Sequence, residues 1–209
     1  IDYFCQFENL LSSIDYILIT HYHGDHYAGL ASLLLGLKYV SPQYKKLTII
    51  GPGDLEQKVY TLLNVLYPGT ERLIQDLNIE FKGVNPSGEE LKTKDFNLEI
   101  HPMIHSDLAL PVGYVLQSNG FKMGFSGDTA WHDGVTSFLT NCSNAILECN
   151  FSKKIGEGHI SVQELEASEI VQKKKKNIFL THLHTESSEK AKKLGYNVLS
   201  DGDVLNFKS

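Results

Sequence analysis

The chain has 209 residues, 42% of them hydrophobic and 21% charged, which is enough apolar material for one sizeable core and too much for a disordered tail. A formal net charge of −6 with a pI of about 5.8 argues against a long nucleic acid as a partner of the bulk surface. No run reaches the roughly 18–20 apolar residues of a membrane span and no basic segment precedes an apolar one, so no membrane helix and no signal peptide are expected.

Three cysteines, Cys5, Cys142 and Cys149, make an odd set without a Cys-x-x-Cys. They read as free thiols in a reducing, cytoplasmic setting, with a single Cys142–Cys149 bridge as the alternative. In chain order, residues 15–20 (DYILIT) form a short β-branched run that predicts a buried strand. Residues 29–40 predict a mostly buried helix, and 47–53 a strand entering a turn. Residues 54–67 are amphipathic, with Asp54 placed to cap and Pro68 to stop a helix. Residues 79–84, 96–105, 112–120 and 121–128 then read as successive strands, with Ser-Asn-Gly at 118–120 as a hairpin signal. Residues 144–149 predict a strand, and 161–174 one helix opened by a Ser161/Glu164 capping box. The lysine run at 173–176 suits that helix's C-terminal dipole and a solvated face. A strand at 177–182, a short helix at 187–195 and a last strand at 204–207 complete the pattern. The alternation predicts one layered α/β domain over residues 1–209.

The segment Thr-His-Tyr-His-Gly-Asp-His at 20–26 concentrates metal donors. His21 and His23 lie two apart and face the same side of an extended segment. Gly24 permits a turn, after which Asp25 and His26 approach from another direction. Four ligands on one loop cannot all serve one ion comfortably but can divide between two. Further donors follow short apolar runs, at His105, Asp128 and His182, where a strand end would hold them rigidly. Each of these alone serves equally well as a surface or capping residue, and their common placement favours the ligand reading.

These segments, THYHGDH, HSDLALPVGYV, FSGDT and FLTH in that order, resemble the motifs of the metallo-β-lactamase fold superfamily. The branch most resembled is that of ribonuclease Z and related phosphodiesterases. GHIS at 158–161 is similar to that branch's catalytic histidine segment, and Gly-Pro-Gly at 51–53 to its turn. The resemblance runs from about residue 14 to residue 207 and implies a four-layer αββα sandwich. It also implies that His21, His23 and His105 bind one divalent ion, that Asp25, His26 and His182 bind a second, and that Asp128 bridges them. Zinc suits these donors, with manganese or iron as alternatives. The implied reaction is hydrolysis by a metal-bridging hydroxide, with Asp25 in the catalytic ligand set and His159 as general acid.

Family members usually begin with a β-hairpin and an Leu-x-Asp-x-Gly element. Little chain precedes the first motif here, which leaves open whether the first N-terminal strands are missing. Ribonuclease Z also carries a protruding arm that grips transfer RNA, in many members between the third histidine and the bridging aspartate. Strands already fill that interval here. A short phosphodiester such as a cyclic nucleotide is therefore the expected substrate. A lactone, thioester or other carbonyl substrate, transfer RNA 3′-end processing, and a non-catalytic binding module are the alternatives. A di-iron redox protein is disfavoured because those members carry Glu where His23 stands. A homodimer is left open. Lesser candidates are His184 and His132 near the site, Glu148 as an orienting carboxylate, Trp131 as a cleft wall, and His101 and Asp15 as structural residues.

Overall fold

A computed structural model describes residue 11 and residues 13–40, 46–70, 72–86 and 88–207 of the chain. Cys5 and the segment in which the Leu-x-Asp-x-Gly element was sought lie outside them. The chain forms two compact units, with the boundary between Val84 and Asn85.

The N-terminal unit is built on a three-stranded sheet in the order β1 (Tyr16–Leu18), β2 (Leu47–Pro52), β3 (Ile79–Val84), parallel throughout. Parallel neighbours require crossover connections. Helices α1 (Gly24–Tyr27) and α2 (Gly29–Tyr39) lie between β1 and β2, and α3 (Leu55–Leu66) and α4 (Arg72–Asp76) between β2 and β3. All six residues of β2 are buried, as expected for the central strand of such a sheet. Leu30, Leu34 and Leu37 of α2 and Val59 and Leu63 of α3 pack with Leu47 and Ile49 in one apolar cluster. Helix α3 ends where expected, with Tyr67 as its C-cap ahead of Pro68, because the residue before a proline is pushed out of the helical region. Asp54 occupies the N-cap position, yet its side chain makes no capping hydrogen bond.

The C-terminal unit holds a seven-stranded sheet, β10-β9-β8-β7-β6-β5-β4. Its strands are β4 (Glu90–Lys92), β5 (Asn97–Pro102), β6 (Val112–Ser118), β7 (Phe121–Phe125), β8 (Asn144–Glu148), β9 (Ile178–Thr181) and β10 (Asn197–Val198). Strands β4 to β7 pair antiparallel, and β7 to β10 parallel. Two antiparallel steps make β5 run with β7, so β5, β7, β8 and β9 all end at the same edge of the sheet. The β6–β7 hairpin turns through Asn119 and Gly120, both with positive φ (49° and 80°), the conformation that makes Asn-Gly a hairpin signal.

Helix α5 (Asp133–Asn141) was not evident from the sequence. It lies over the sheet where Gly124 lacks a Cβ that would collide with Phe138 and Cys142. The helix expected over 161–174 is two helices, α6 (Val162–Ala167) and α7 (Glu169–Lys174). Ser168 breaks them with an extended backbone (φ −92°, ψ 118°) and caps the second, since serine offers the backbone a local alternative to helix. The Ser161/Glu164 capping box is formed. Lys174 serves another helix, its Nζ donating to the Leu139, Thr140 and Cys142 carbonyls at the C-terminus of α5. Helix α8 (Thr185–Lys193) precedes β10.

The strand expected at 204–207 is displaced to β10, which pairs with Phe179 and Leu180 of β9. A turn closed by the Asp203 carboxylate on the Ser200 amide follows. Phe207 then packs its ring 5.1 Å from Phe121 and 5.7 Å from Phe179, so this one aromatic of the expected strand serves as a cover while Val204 stays exposed. Cys142 and Cys149 are buried free thiols. Burial pushes the Cys142 thiol up to about 12, which keeps it inert at neutral pH.

Candidate metal centre

In the N-terminal unit, the first donors leave the sheet just past β1. His21 is wholly buried, and its Nδ1 lies 3.2 Å from the Thr20 hydroxyl. His23 is the N-cap of the one-turn helix that carries Asp25 and His26. The loop folds these side chains back on one another. The His21 ring centroid lies 4.8 Å from that of His23 and 4.1 Å from that of His26, and Asp25 Oδ2 lies 3.3 Å from His26 Nε2. The short helix after the extended segment produces the change of direction inferred for Asp25 and His26.

In the C-terminal unit, the remaining donors sit at one edge of the sheet. His105 follows β5, Asp128 follows β7, Glu148 ends β8 and His182 follows β9. This is the carboxyl edge of the parallel strands, where open α/β sheets place ligands. Asp128 is 4% exposed. Its Oδ2 is faced by His182 Nε2 at 3.6 Å, His105 Nε2 at 3.8 Å and His159 Nδ1 at 3.9 Å. These separations are too long for direct hydrogen bonds. The His105 and His182 separations match the spacing, on the order of 3–4 Å, between donors that share an ion held at about 2.0–2.2 Å from each. Donor atoms of His105, Asp128 and His159 lie within 4.8 Å of one another, as do those of Glu148, His159 and His182. The donor set of imidazoles and carboxylates therefore fits a divalent metal such as zinc.

The surroundings fix how each ring presents itself. His105 Nδ1 lies 2.7 Å from the Gly158 carbonyl. A carbonyl only accepts, so Nδ1 carries the proton and Nε2, the atom facing Asp128, keeps its lone pair. A Cβ on residue 158 would stand 3.2 Å from that ring nitrogen, so glycine gives the carbonyl its approach. Backbone and side chain of Thr129 tie two strand ends together. Its Oγ1 accepts from the Ile104 amide, and its amide donates to Glu148 Oε1.

Glu148 is 1% exposed. Burial raises its carboxyl pKa, while hydrogen bonds from His159 and the Thr129 amide oppose the rise. Oε1 also accepts from the Ile160 amide, and Oε2 from the Asn150 amide. His159 Nδ1 approaches Oε1 at 3.0 Å, and its ring lies against Phe151 on one side (5.8 Å between centroids) and His182 on another (5.4 Å). Glu148, expected as an orienting carboxylate, thus orients His159. His182 has φ 57°, a left-handed backbone that costs a non-glycine residue roughly 1–2 kcal/mol and that collects at functional sites.

Other candidates fall into structural roles. His132 is the N-cap of α5, its Nδ1 accepting from the Gly134 amide at 3.1 Å, and burial lowers its pKa. His184 is the N-cap of α8, with its ring 5.6 Å from Phe151. His101 stacks edge-on against Phe138 and lies 3.6 Å from Glu99. Trp131 packs against the core, and the Asp15 carbonyl accepts from the Thr48 amide of β2. Asn150 and Thr129 were missed. Their signal was position alone, within two residues of a strand end or of a candidate ligand.

The fold is that of the metallo-β-lactamases. The metallo-β-lactamase fold protein YhfI from Bacillus subtilis superposes on 90% of this chain and 75% of its own, with a TM-score of 0.64 and 22% identity. Curated relatives are ribonucleases Z. That of Bacillus velezensis is 26% identical over 216 residues, covering 81% of this chain and 70% of the relative. That of Staphylococcus haemolyticus is 44% identical over 55 residues, covering 26% of this chain. The chain spans only 18% of that relative's length. Residues 3–201 match the family described as Anti-Pycsar protein Apyc1, and the chain belongs to that family. Among the described residues no helix is long and apolar enough to cross a membrane.

Proposed function

We propose that this protein is a hydrolase dependent on two divalent metal ions, zinc by preference, acting on a phosphodiester of small size such as a cyclic nucleotide. His21, His23 and His105 would hold one ion and Asp25, His26 and His182 the other, with Asp128 serving both. The observation that carries the reading is the buried Asp128 carboxylate faced by His105, His159 and His182 at 3.6–3.9 Å. Kinship to ribonuclease Z supports phosphorus over carbonyl chemistry. When bound, the ions supply an activated water and neutralise charge on the phosphoryl oxygens.

The protein's own groups do the rest. His159, held through Nδ1 by Glu148, presents Nε2 as the proton donor to the departing alkoxide. Glu148 fixes the ring's orientation and stabilises its protonated form, and the Phe151 edge limits rotation. His105 and His182 are preset at strand ends, so little reorganisation accompanies binding.

Metal analysis after exhaustive dialysis, followed by a substrate panel with added zinc or manganese, tests the reading. The panel holds bis-p-nitrophenyl phosphate, cyclic nucleotides, a precursor transfer RNA, a lactone and a β-lactam. Turnover of the phosphodiesters with nearly two ions per chain is expected. Less than half an equivalent of metal with no activation on its addition would sink the proposal. Turnover of the lactone alone would move it to carbonyl chemistry.

A further inference from the structure

Strand β8 ends at Glu148, and Asn150, two residues further on, holds a position that the proposed mechanism does not use. The Asn150 main chain is fixed from three directions. Its amide donates to Glu148 Oε2 at 3.0 Å, and its carbonyl accepts from the His184 amide at 3.2 Å and the Ser187 hydroxyl at 2.7 Å. The residue is 8% exposed. Its side-chain amide meets the His182 ring, with Nδ2 2.8 Å from Nδ1. Oδ1, on the other side of the same amide, is buried and has no hydrogen-bond partner among the described residues.

Half a turn about the last side-chain bond exchanges Oδ1 and Nδ2 with almost no change of shape. With Oδ1 against the ring, it accepts from Nδ1–H. His182 Nε2, the atom 3.6 Å from Asp128, then keeps its lone pair. In the opposite arrangement Nδ1 accepts, the ring proton of a neutral histidine sits on Nε2, and that nitrogen cannot bind a metal. His105 obtains the same Nδ1–H tautomer from the Gly158 carbonyl.

We propose that Asn150 is the positioning residue for His182, its side-chain oxygen holding the ring in the Nδ1–H tautomer that turns Nε2 into a metal donor. The inference rests on His182 being a ligand. Glu148 and Asn150, two residues apart, then serve the general acid and a ligand from one strand end.

The test uses the full chain, with zinc alone as probe in competition with a chromophoric chelator. Asn150→Ala keeps the main-chain bonds and should weaken one of the two sites by roughly 10- to 100-fold, the usual loss when a ligand's outer partner is removed. Asn150→Asp places an acceptor-only group at the ring and should hold affinity within a few-fold of the parent. Long-range proton–nitrogen NMR on the metal-free chain should find His182 in the Nδ1–H form in the parent and in Asn150→Asp, and in the Nε2–H form in Asn150→Ala. An Nε2–H ring in the parent, unchanged zinc affinity in Asn150→Ala, or Asn150→Asp binding as weakly as Asn150→Ala would each overturn the role. A parent chain that binds no zinc would sink the proposed function instead, while the NMR comparison would still decide the role of Asn150.

Discussion

In the N-terminal unit, His21, His23, Asp25 and His26 come from six consecutive positions and are brought together by one loop and one helical turn. In the C-terminal unit, His105, Asp128 and His182 come from three strand ends far apart in sequence and are brought together by the sheet. The first cluster depends on local geometry and the second on the register of β5, β7, β8 and β9. His105, His159 and His182 are each oriented by a group distant in sequence, as a site assembled by a sheet needs when no short-range constraint aims its rings.

The largest effects should come from removing a donor in either cluster. Asp128→Asn removes the one carboxylate proposed to touch both ions. It should lower hydrolysis by more than the roughly 10- to 100-fold expected for loss of an outer partner, with both ions lost on dialysis. His21→Ala and His26→Ala should each lose metal and activity, one ion being affected more than the other. If metal analysis found two ions retained in either histidine variant at near-parental rates, the loop cluster would not be a ligand set.

His159→Ala should be the next most severe and should depend on the leaving group. A ribose-like alkoxide needs the proton, so the loss there should be on the order of 10²–10⁴-fold. A p-nitrophenolate leaves without it, so bis-p-nitrophenyl phosphate should be turned over with a much smaller loss, with metal content unchanged. Equal losses on both substrates would reduce His159 to a structural residue, and loss of an ion would make it a ligand.

Glu148→Gln separates support from chemistry. Four hydrogen bonds converge on this carboxylate, three of them from backbone amides. A glutamine that keeps its oxygen toward Thr129, Ile160 and His159 must turn an NH₂ toward the Asn150 amide, donor against donor. A loss of roughly 1–3 kcal/mol in denaturant stability is expected, together with a weaker form of the His159→Ala leaving-group pattern. Unchanged stability and an unchanged pattern would show that Glu148 does not orient the ring.

The same contrast explains what was legible in the sequence. The loop cluster could be read directly, because donors one to five residues apart share a surface whatever the tertiary fold. His105, Asp128 and His182 were legible only as strand ends in a familiar order. The orienting groups are poorly legible in the sequence, Glu148 as a lesser candidate and Asn150 not at all, since a carboxylate or amide at a strand end has no local pattern that reveals its partner. Among the elements, β2, α3 and the Asn119-Gly120 hairpin followed from periodicity and turn chemistry. Helix α5 escaped although Val135, Phe138 and Leu139 stand at helical spacing, because three apolar positions in nine residues make only a short repeat. The 161–174 helix was read as continuous because the preference of Ser168 for its own capping geometry was outweighed by the surrounding helix formers.

The smallest expected effect compares one helix start in each unit. Ser161 accepts from the Glu164 amide, and the Glu164 carboxylate accepts from both the Ser161 amide and its hydroxyl. Asp54 stands at the corresponding position of α3 with φ −87° and ψ 46°, and no hydrogen bond from its side chain caps the helix. Ser161→Ala loses a complete reciprocal cap and should cost about 1 kcal/mol. Asp54→Ala loses only the attraction of a carboxylate for the helix N-terminus, about 0.3–1 kcal/mol and screened by salt. Urea denaturation of both variants at low and high ionic strength separates the two contributions. The Ser161→Ala deficit should persist in salt, because a hydrogen-bonded cap does not depend on long-range charge, while the Asp54→Ala deficit should shrink towards zero. A salt-insensitive loss at Asp54 equal to that at Ser161 would mean that Asp54 caps α3 in solution, and the contrast between the two helix starts would disappear.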